Sequence, residues 1–156
     1  MIPCKDVEKF YHTSKFDIYL ATSNIPNGGL GVFTKEYIPA NTYIDEYKGE
    51  VYIEPIRGSY VLQVSPTCHI DAWNFPRCYM GMLNDCSFIA KQQIRKKKRR
   101  IDVTPDSYYN SKNEKLFVNC EFITDEVNKM AYVNSIVEIF PGSELFVAYG
   151  DEYWKN

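Results

Sequence analysis

Long apolar stretches are missing from this sequence, and their absence excludes one class of protein. The longest uncharged apolar runs, such as residues 135–137, fall far short of the roughly 20 residues that a membrane-spanning helix requires. The first residues also lack the apolar segment of a secretory signal. We therefore expect an intracellular protein without a membrane partner.

Cysteine and histidine are scarce as well. The five cysteines are an odd number at irregular spacing, and there are only two histidines. Zinc sites typically show CxxC or closely spaced His pairs, and neither pattern is found here. We expect no disulfide scaffold and no bound metal. Cys86 has no basic neighbour in the sequence, so we interpret it as a small buried residue rather than a nucleophile.

The residues that are present suit one domain rich in β-strands. With 156 residues and 45% hydrophobic content, the chain has room for a single core. Short β-branched and aromatic segments alternate with turn residues, which is typical of a mostly β fold. Helix signals are weak, with one or two turns predicted at residues 74–83 and near residues 7–11. The predicted strands are residues 32–33, 43–47, 60–64, 116–118, 130–139 and 145–149.

The net charge of −2 hides an uneven distribution of charge. Residues 87–118 hold nine Lys or Arg and three Asp or Glu, a balance of +6, so the rest of the chain carries −8. Seven of these cations fall within residues 91–100. This basic run is consistent with a nuclear import signal, with a contact to nucleic-acid phosphate, or with a solvated loop that self-repulsion keeps extended. The acidic remainder suits a basic peptide substrate.

Three clusters along the chain combine glycine, amide or phenol groups with apolar residues. They occupy residues 27–33, 68–86 and 141–154. The first is rich in glycine, whose backbone can approach a ligand closely. The second ends in Asn84 and Asp85, and the third places Tyr149 before a glycine at the end of an apolar segment. Taken singly, each has an ordinary explanation, namely a hairpin turn, an Asx turn and the packing of an aromatic ring.

Taken in order, these clusters and two further segments resemble the SET-domain protein lysine methyltransferases. The resemblance extends over residues 16–154 and includes features of the PR-domain branch of that family. The matching motifs are Gly-Leu-Gly-Val-Phe at 29–33, Glu-Tyr-Lys-Gly-Glu at 46–50, Ile-Asp-Ala at 70–72, Asn-Cys at 119–120, and Pro-Gly-Ser-Glu-Leu through Tyr-Gly-Asp at 141–151. One such match would be weak, whereas five in the correct order are specific.

The central motif departs from the family pattern. The family usually has Arg-Phe-Ile-Asn-His-Ser, whereas residues 81–86 read Gly-Met-Leu-Asn-Asp-Cys, so Asp85 stands where His is expected. In the family that His helps to hold the adenine region of the cofactor, although PR domains also lack it. A basic insertion separates Asn84 from Asn119, and the zinc cluster that often follows the domain has no counterpart in this sequence.

The resemblance implies a mostly β SET fold with several small sheets, few short helices and a C-terminal pseudoknot. In the pseudoknot, the Asn84 segment threads beneath the C-terminal segment. The implied organisation is an N-terminal extension at residues 1–15 and a SET domain at residues 16–154, with the basic insertion at about residues 87–115. Residues 30, 84 and 149 would then meet in space although they are far apart along the chain.

The resemblance also implies a cofactor and a role for each site residue. S-adenosylmethionine is the expected methyl donor. The expected catalytic residues are Tyr149, nearest the methyl group, and Tyr47, which limits how many methyl groups fit. The residues expected to contact the cofactor are Gly29, Leu30, Gly31, Asn84, Asp85, Tyr149 and Trp154, with Tyr153 as the alternative to Trp154 against the adenine. Tyr79 either lines the site or packs in the core.

The implied function is N-methylation of a lysine side chain in a protein. A histone tail is the expected partner, and the nucleus, or else the cytoplasm, is the expected location. The stretch from Arg95 to Arg100 is a candidate contact to nucleosomal DNA. Two alternatives stay open: a catalytically silent SET- or PR-like module that binds protein or nucleic acid, and a methyltransferase for a non-histone substrate such as a ribosomal protein.

Overall fold

Twelve short strands in five small sheets form nearly all of the regular structure in the described residues. The computed structural model describes residues 9–74, 76–86, 107–109 and 115–149. The strands are β1 (Phe10–Tyr11), β2 (Ile18–Thr22), β3 (Leu30–Thr34), β4 (Tyr43–Tyr47), β5 (Glu50–Tyr52), β6 (Val61–Ser65), β7 (Cys68–Asp71), β8 (Arg77–Cys78), β9 (Ser107–Tyr109), β10 (Lys115–Phe117), β11 (Cys120–Asp125) and β12 (Met130–Ser135). Within these ranges the one helix is a 3-10 helix, Tyr79–Met82. The predicted mostly β fold is confirmed.

Each sheet has only two or three strands. The three-stranded sheets have the orders β11–β12–β4 and β5–β7–β6, while β2 pairs with β3, β9 with β10 and β1 with β8. Along β12 the residues Ala131, Val133 and Ser135 are buried and alternate with partly exposed ones. This alternation follows because successive side chains of a strand point to opposite faces. The predicted strand over residues 130–139 therefore exists, but it ends at Ser135.

One hydrophobic core lies between the small sheets. It takes residues from β3, β4, β12, the 3-10 helix and the C-terminal segment, residues 141–149. The largest side chains that are almost fully buried are Ile38, Ile44, Met80, Leu83, Ile139, Leu145, Val32, Val133 and Val147. Cys86 is also fully buried, as predicted. No helix among the described residues is long and apolar enough to cross a membrane.

Two local predictions are wrong, and in both places long-range pairing decides the structure. Residues Phe10 and Tyr11 were expected near a helical turn, but they form β1, which pairs in parallel with β8. Residues 145–149 form no regular strand, because their hydrogen bonds go in turn to different segments. The helical turn predicted at residues 74–83 is present in shorter form as the 3-10 helix.

Several predictions concern residues outside the described ranges. These include the basic stretch from Arg95 to Arg100, most of the basic insertion, and the candidate adenine contacts Tyr153 and Trp154. Near the start of the described residues, Thr13 donates from its backbone N–H and its hydroxyl to the buried Asp45 carboxylate, at 2.8 and 2.6 Å. These bonds attach Thr13 to β4.

Candidate active site

The C-terminal segment lies between β3 and the residues around Asn84. On one side the Leu145 N–H donates to the Val32 carbonyl at 2.8 Å. On the other side the Val147 N–H donates to the Asn84 carbonyl at 3.1 Å, within an isolated parallel bridge between Asn84 and Phe146. This arrangement joins the first and second sequence clusters through the third.

Asn119 fixes the C-terminal segment from a third direction. Its side-chain amide donates to the Glu144 carbonyl at 2.9 Å, and its Oδ1 accepts the Phe146 N–H at 2.8 Å. Asn119 is buried, so both groups of the amide are satisfied away from water. In the sequence Asn119 was noted only as part of a matching motif, and the structure gives it this bridging role.

Tyr149 is held at both ends by the segment that contains Asn84. Its backbone N–H donates to Asp85 Oδ2 at 2.8 Å, and its hydroxyl donates to the Leu83 carbonyl. The ring is half-buried against the hydrophobic core. Tyr149 therefore lies next to the segment that contains Asn84, as the sequence predicts.

Asn84 connects this tyrosine to the glycine-rich cluster. Its side-chain Nδ2 donates to the Leu30 carbonyl at 3.0 Å. Leu30 begins β3, directly after Gly29, whose φ of +65° places it in the left-handed region that favours glycine. The structure therefore brings together Leu30, Asn84 and Tyr149, although up to 119 residues separate them along the chain.

A buried glutamate that the sequence reading did not assign lies beneath this junction. Glu144 is 3% exposed; it accepts the Ser23 hydroxyl and the Asn24 N–H, each at 2.8 Å, and the Asn84 amide at 3.4 Å. Burial raises the pKa of the Glu144 carboxyl above its usual 4.5, although these hydrogen bonds act in the opposite direction. The signal available in the sequence was a single carboxylate directly before the apolar residues 145–148.

The same glutamate explains one glycine of the motif. A Cβ added to Gly31 would lie 2.2 Å from Glu144 Oε2, so no side chain fits there while the carboxylate keeps its position. Around Gly29, by contrast, a Cβ would meet no atom of the described residues within 4 Å. Gly31 therefore makes room for a side chain of this protein itself, whereas Gly29 does not.

Tyr47 and Tyr149 line one small cavity. Its volume is about 50 Å³, and Tyr60, Met80, Leu83 and Phe122 also contribute to its walls. The Tyr47 hydroxyl donates to the Tyr60 carbonyl at 2.5 Å, and its ring meets Phe122 edge to face at 5.6 Å. Burial raises the pKa of Tyr47 far above 10, so its phenol stays neutral.

Tyr79 lies close to this region but is not among the lining residues of the cavity. Its ring packs against the core, and its centroid lies 4.8 Å from that of His12. This contact agrees with the packing interpretation of Tyr79. Among the described residues, no group of three or more His, Cys, Asp or Glu side chains is placed to hold a metal ion.

Comparisons with known proteins agree with this arrangement. The SET domain family model matches residues 29–150, which include the whole of the second cluster and most of the first and third. A solved structure described as KRYPTONITE in complex with mCHG DNA and SAH has a similar fold, with a TM-score of 0.57 and 18% sequence identity. The match covers 88% of this chain and 24% of that one, so the chain spans about a quarter of the length of that structure. No curated protein matches the sequence. The family match extends over more than half of the chain, and this protein therefore belongs to the SET domain family.

Proposed function

We propose that this protein transfers a methyl group from S-adenosylmethionine to a lysine side chain of a protein. The observation that carries the proposal is the pair of phenols at the small cavity. Tyr149 and Tyr47 each donate their hydroxyl proton to a backbone carbonyl, of Leu83 and of Tyr60. Their oxygens can then offer only lone pairs to a group in the cavity, and lone pairs suit the N–H groups of an amine.

The size of the cavity supports a small substrate group. A water molecule needs about 10–15 Å³ of such volume, so the 50 Å³ found here has room for only a few atoms. The amine end of an unbranched lysine side chain is a group of this size.

The residues that line the cavity also favour the neutral form of a lysine amine. A free lysine has a pKa of about 10.4 and is a poor nucleophile at neutral pH because its amine is protonated. Met80, Leu83 and Phe122 contribute apolar surface to the cavity, which reduces the hydration of an amine bound there. Loss of hydration disfavours the ammonium form and lowers the lysine pKa. Holding the amine in one orientation supplies a further part of the rate acceleration.

The glycine-rich cluster fits the methyl donor. No atom of the described residues would crowd a Cβ at Gly29, and the Asn84 amide lies next to the Leu30 carbonyl. A backbone and an amide side chain are suitable partners for the amino and carboxylate groups of a methionine-like ligand. We assign this contact to Gly29, Leu30, Gly31 and Asn84, with Trp154 or Tyr153 against the adenine. S-adenosylmethionine, when bound, supplies an electrophilic methyl group on a sulfonium.

Charge supports a basic protein segment as the substrate. Outside residues 87–118 the chain carries −8, which favours a cationic partner such as a histone tail. The similar fold of KRYPTONITE occurs in a complex with mCHG DNA and SAH, which is the demethylated form of the proposed donor. We accordingly propose a chromatin substrate and a nuclear location, with Arg95 to Arg100 as a contact to nucleosomal DNA.

Transfer of a labelled methyl group tests the proposal directly. The purified full chain should label a lysine of core histones, nucleosomes or ribosomal proteins when it is supplied with labelled S-adenosylmethionine. Tyr149→Phe should lower the rate by about 100-fold, the cost of removing one positioned polar group at a reaction centre. Tyr37→Phe is the matched control, because the exposed Tyr37 hydroxyl donates to Glu138 at 2.8 Å, and neither residue lines the cavity. Equal rates for the two variants would contradict the assignment of Tyr149.

The second candidate is a silent module of the same family that binds protein or nucleic acid. The observation in its favour is Asp85, which stands in place of the family His. Calorimetry with S-adenosylhomocysteine separates the two candidates, since a folded protein that gives no heat would favour the silent module. For either candidate, contact of the basic run with DNA predicts nucleosome binding that weakens steeply with salt. Binding that is insensitive to salt would exclude this contact.

A further inference from the structure

The geometry points to Asp85 as a positioning residue that sets the place and orientation of Tyr149. This role differs from the cofactor contact that the family resemblance implies for that position. It rests on the proposed function, because Tyr149 acts on the substrate amine only if the chain is a methyltransferase.

The contact between the two residues is direct and buried. Asp85 is 5% exposed, and its Oδ2 accepts the backbone N–H of Tyr149 at 2.8 Å. A hydrogen bond to a carboxylate is roughly twice as strong as one between neutral groups. The bond also joins positions 64 residues apart, so it constrains where the chain lies just before residue 150.

The same short segment holds Tyr149 at a second point. The Leu83 carbonyl accepts the Tyr149 hydroxyl, and the Asn84 carbonyl accepts the Val147 N–H at 3.1 Å. Three consecutive residues thus fix the backbone near Tyr149, its N–H and its hydroxyl. A reacting group must be held within about 0.5 Å and 10–20° of its productive geometry. Loss of the Asp85 carboxylate leaves the bond from the Tyr149 hydroxyl to the Leu83 carbonyl intact but removes the acceptor of the Tyr149 N–H.

Substitutions at Asp85 separate positioning from an electrostatic effect on the cofactor. Asp85→Asn keeps a carbonyl oxygen that accepts the Tyr149 N–H but removes the charge. Asp85→Ala removes both. Asp125→Ala is the matched control, because the Asp125 carboxylate also accepts a backbone N–H, that of Asn128 at 3.0 Å, in the turn between β11 and β12. Each variant is compared at a temperature below the lowest melting temperature of the set.

Three measurements test the inference. We expect kcat to fall by about 10–100-fold in Asp85→Ala, the range for a reacting group displaced by up to about 1 Å, and to change little in Asp85→Asn and Asp125→Ala. The Kd for S-adenosylhomocysteine, from calorimetry, should stay within a factor of about 2 in all variants. Amide hydrogen exchange at Tyr149, measured by NMR, should accelerate in Asp85→Ala and stay slow in Asp85→Asn, because exchange requires the hydrogen bond to open.

Two results would overturn the inference. One is an equal loss of kcat in Asp85→Asn and Asp85→Ala, which would assign the effect to the charge. The other is a rise in the Kd for S-adenosylhomocysteine that parallels the loss of kcat, which would return Asp85 to cofactor binding. If the wild type transfers no methyl group at all, the proposed function fails. The Tyr149 exchange rates still decide whether Asp85 holds that residue.

Discussion

Gly31 offers the sharpest test of how the site is built. Substitution by alanine places a Cβ 2.2 Å from Glu144 Oε2 and 2.8 Å from its Cδ, so the carboxylate must move. A carboxylate at the end of a flexible side chain would move easily on the surface. Glu144 is instead buried and accepts hydrogen bonds from Ser23 and Asn24. The displacement therefore breaks at least the bond from the Ser23 hydroxyl, which goes to the oxygen that clashes.

The expected loss of stability follows from these bonds. A hydrogen bond to a charged group contributes about 1.5–3 kcal/mol. Replacing glycine by alanine also restricts the unfolded chain, which stabilises the folded protein by about 0.4–1 kcal/mol. Loss of the Ser23 bond alone then gives a net cost of about 0.5–2.5 kcal/mol, and loss of the Asn24 bond as well gives about 2–5.5 kcal/mol. A cost of 2 kcal/mol lowers the melting temperature by about 4–8 °C in a chain of this size.

Urea unfolding and a double-mutant cycle measure this cost. Gly58→Ala is the control, because an added Cβ there would meet only the end of the Val61 side chain, at 3.1 Å. In a Glu144→Ala background, Gly31→Ala should cost much less, because the clashing carboxylate is gone, so the two substitutions should be non-additive. Additive costs, or a Gly31→Ala variant as stable as Gly58→Ala, would refute the explanation.

Three further predictions concern neighbouring residues. Burial raises the pKa of Glu144 above 4.5, so its contribution to stability is complete below pH 4.5 and is lost as the pH rises through the folded-state value. The stability of wild type relative to Glu144→Gln, from urea unfolding, should therefore fall as the pH rises above 4.5, and a rise would contradict the assigned cause. Tyr47→Phe removes the hydroxyl that donates to the Tyr60 carbonyl and enlarges the cavity. Mass spectrometry of the product should then show more methyl groups per lysine, and an unchanged distribution would argue against a role of Tyr47 in limiting methylation. Asn119→Ala removes the side chain that bonds to the Phe146 N–H and the Glu144 carbonyl. The free energy of unfolding in urea should fall by about 2–5 kcal/mol, and a fall below about 1 kcal/mol would argue against the bridging role of Asn119.

Local patterns were sufficient for five of the twelve observed strands, namely β3, β4, β6, β10 and β12. Tyr43–Tyr47 was predicted with its observed bounds, and β6 and β10 each differ from the prediction by a single residue at either end. Each of these segments pairs with one partner, so its alternation and its turn residues carry the information. The segment at residues 145–149 looks locally the same but bonds in turn to Val32, Asn84 and Asn119. Its conformation depends on contacts that no local pattern records.

The fold family could be predicted because its motifs occur in the right order along the chain. The roles of particular residues were harder to predict. Gly31, which the resemblance places at the cofactor, also leaves room for the Glu144 carboxylate. Asp85, at the position of the family His, also accepts the Tyr149 N–H with its carboxylate. Both contacts join residues more than 60 positions apart.

By itself, then, the sequence determined the strand content, the order of the motifs and the family to which they belong. These properties depend on side-chain periodicity and on short patterns, both of which involve residues that are close in sequence. Only the tertiary structure decided which buried polar groups meet. A carboxylate or amide placed away from water must find its hydrogen-bonding partner in space, and the partner of Glu144 at Ser23 lies 121 residues away.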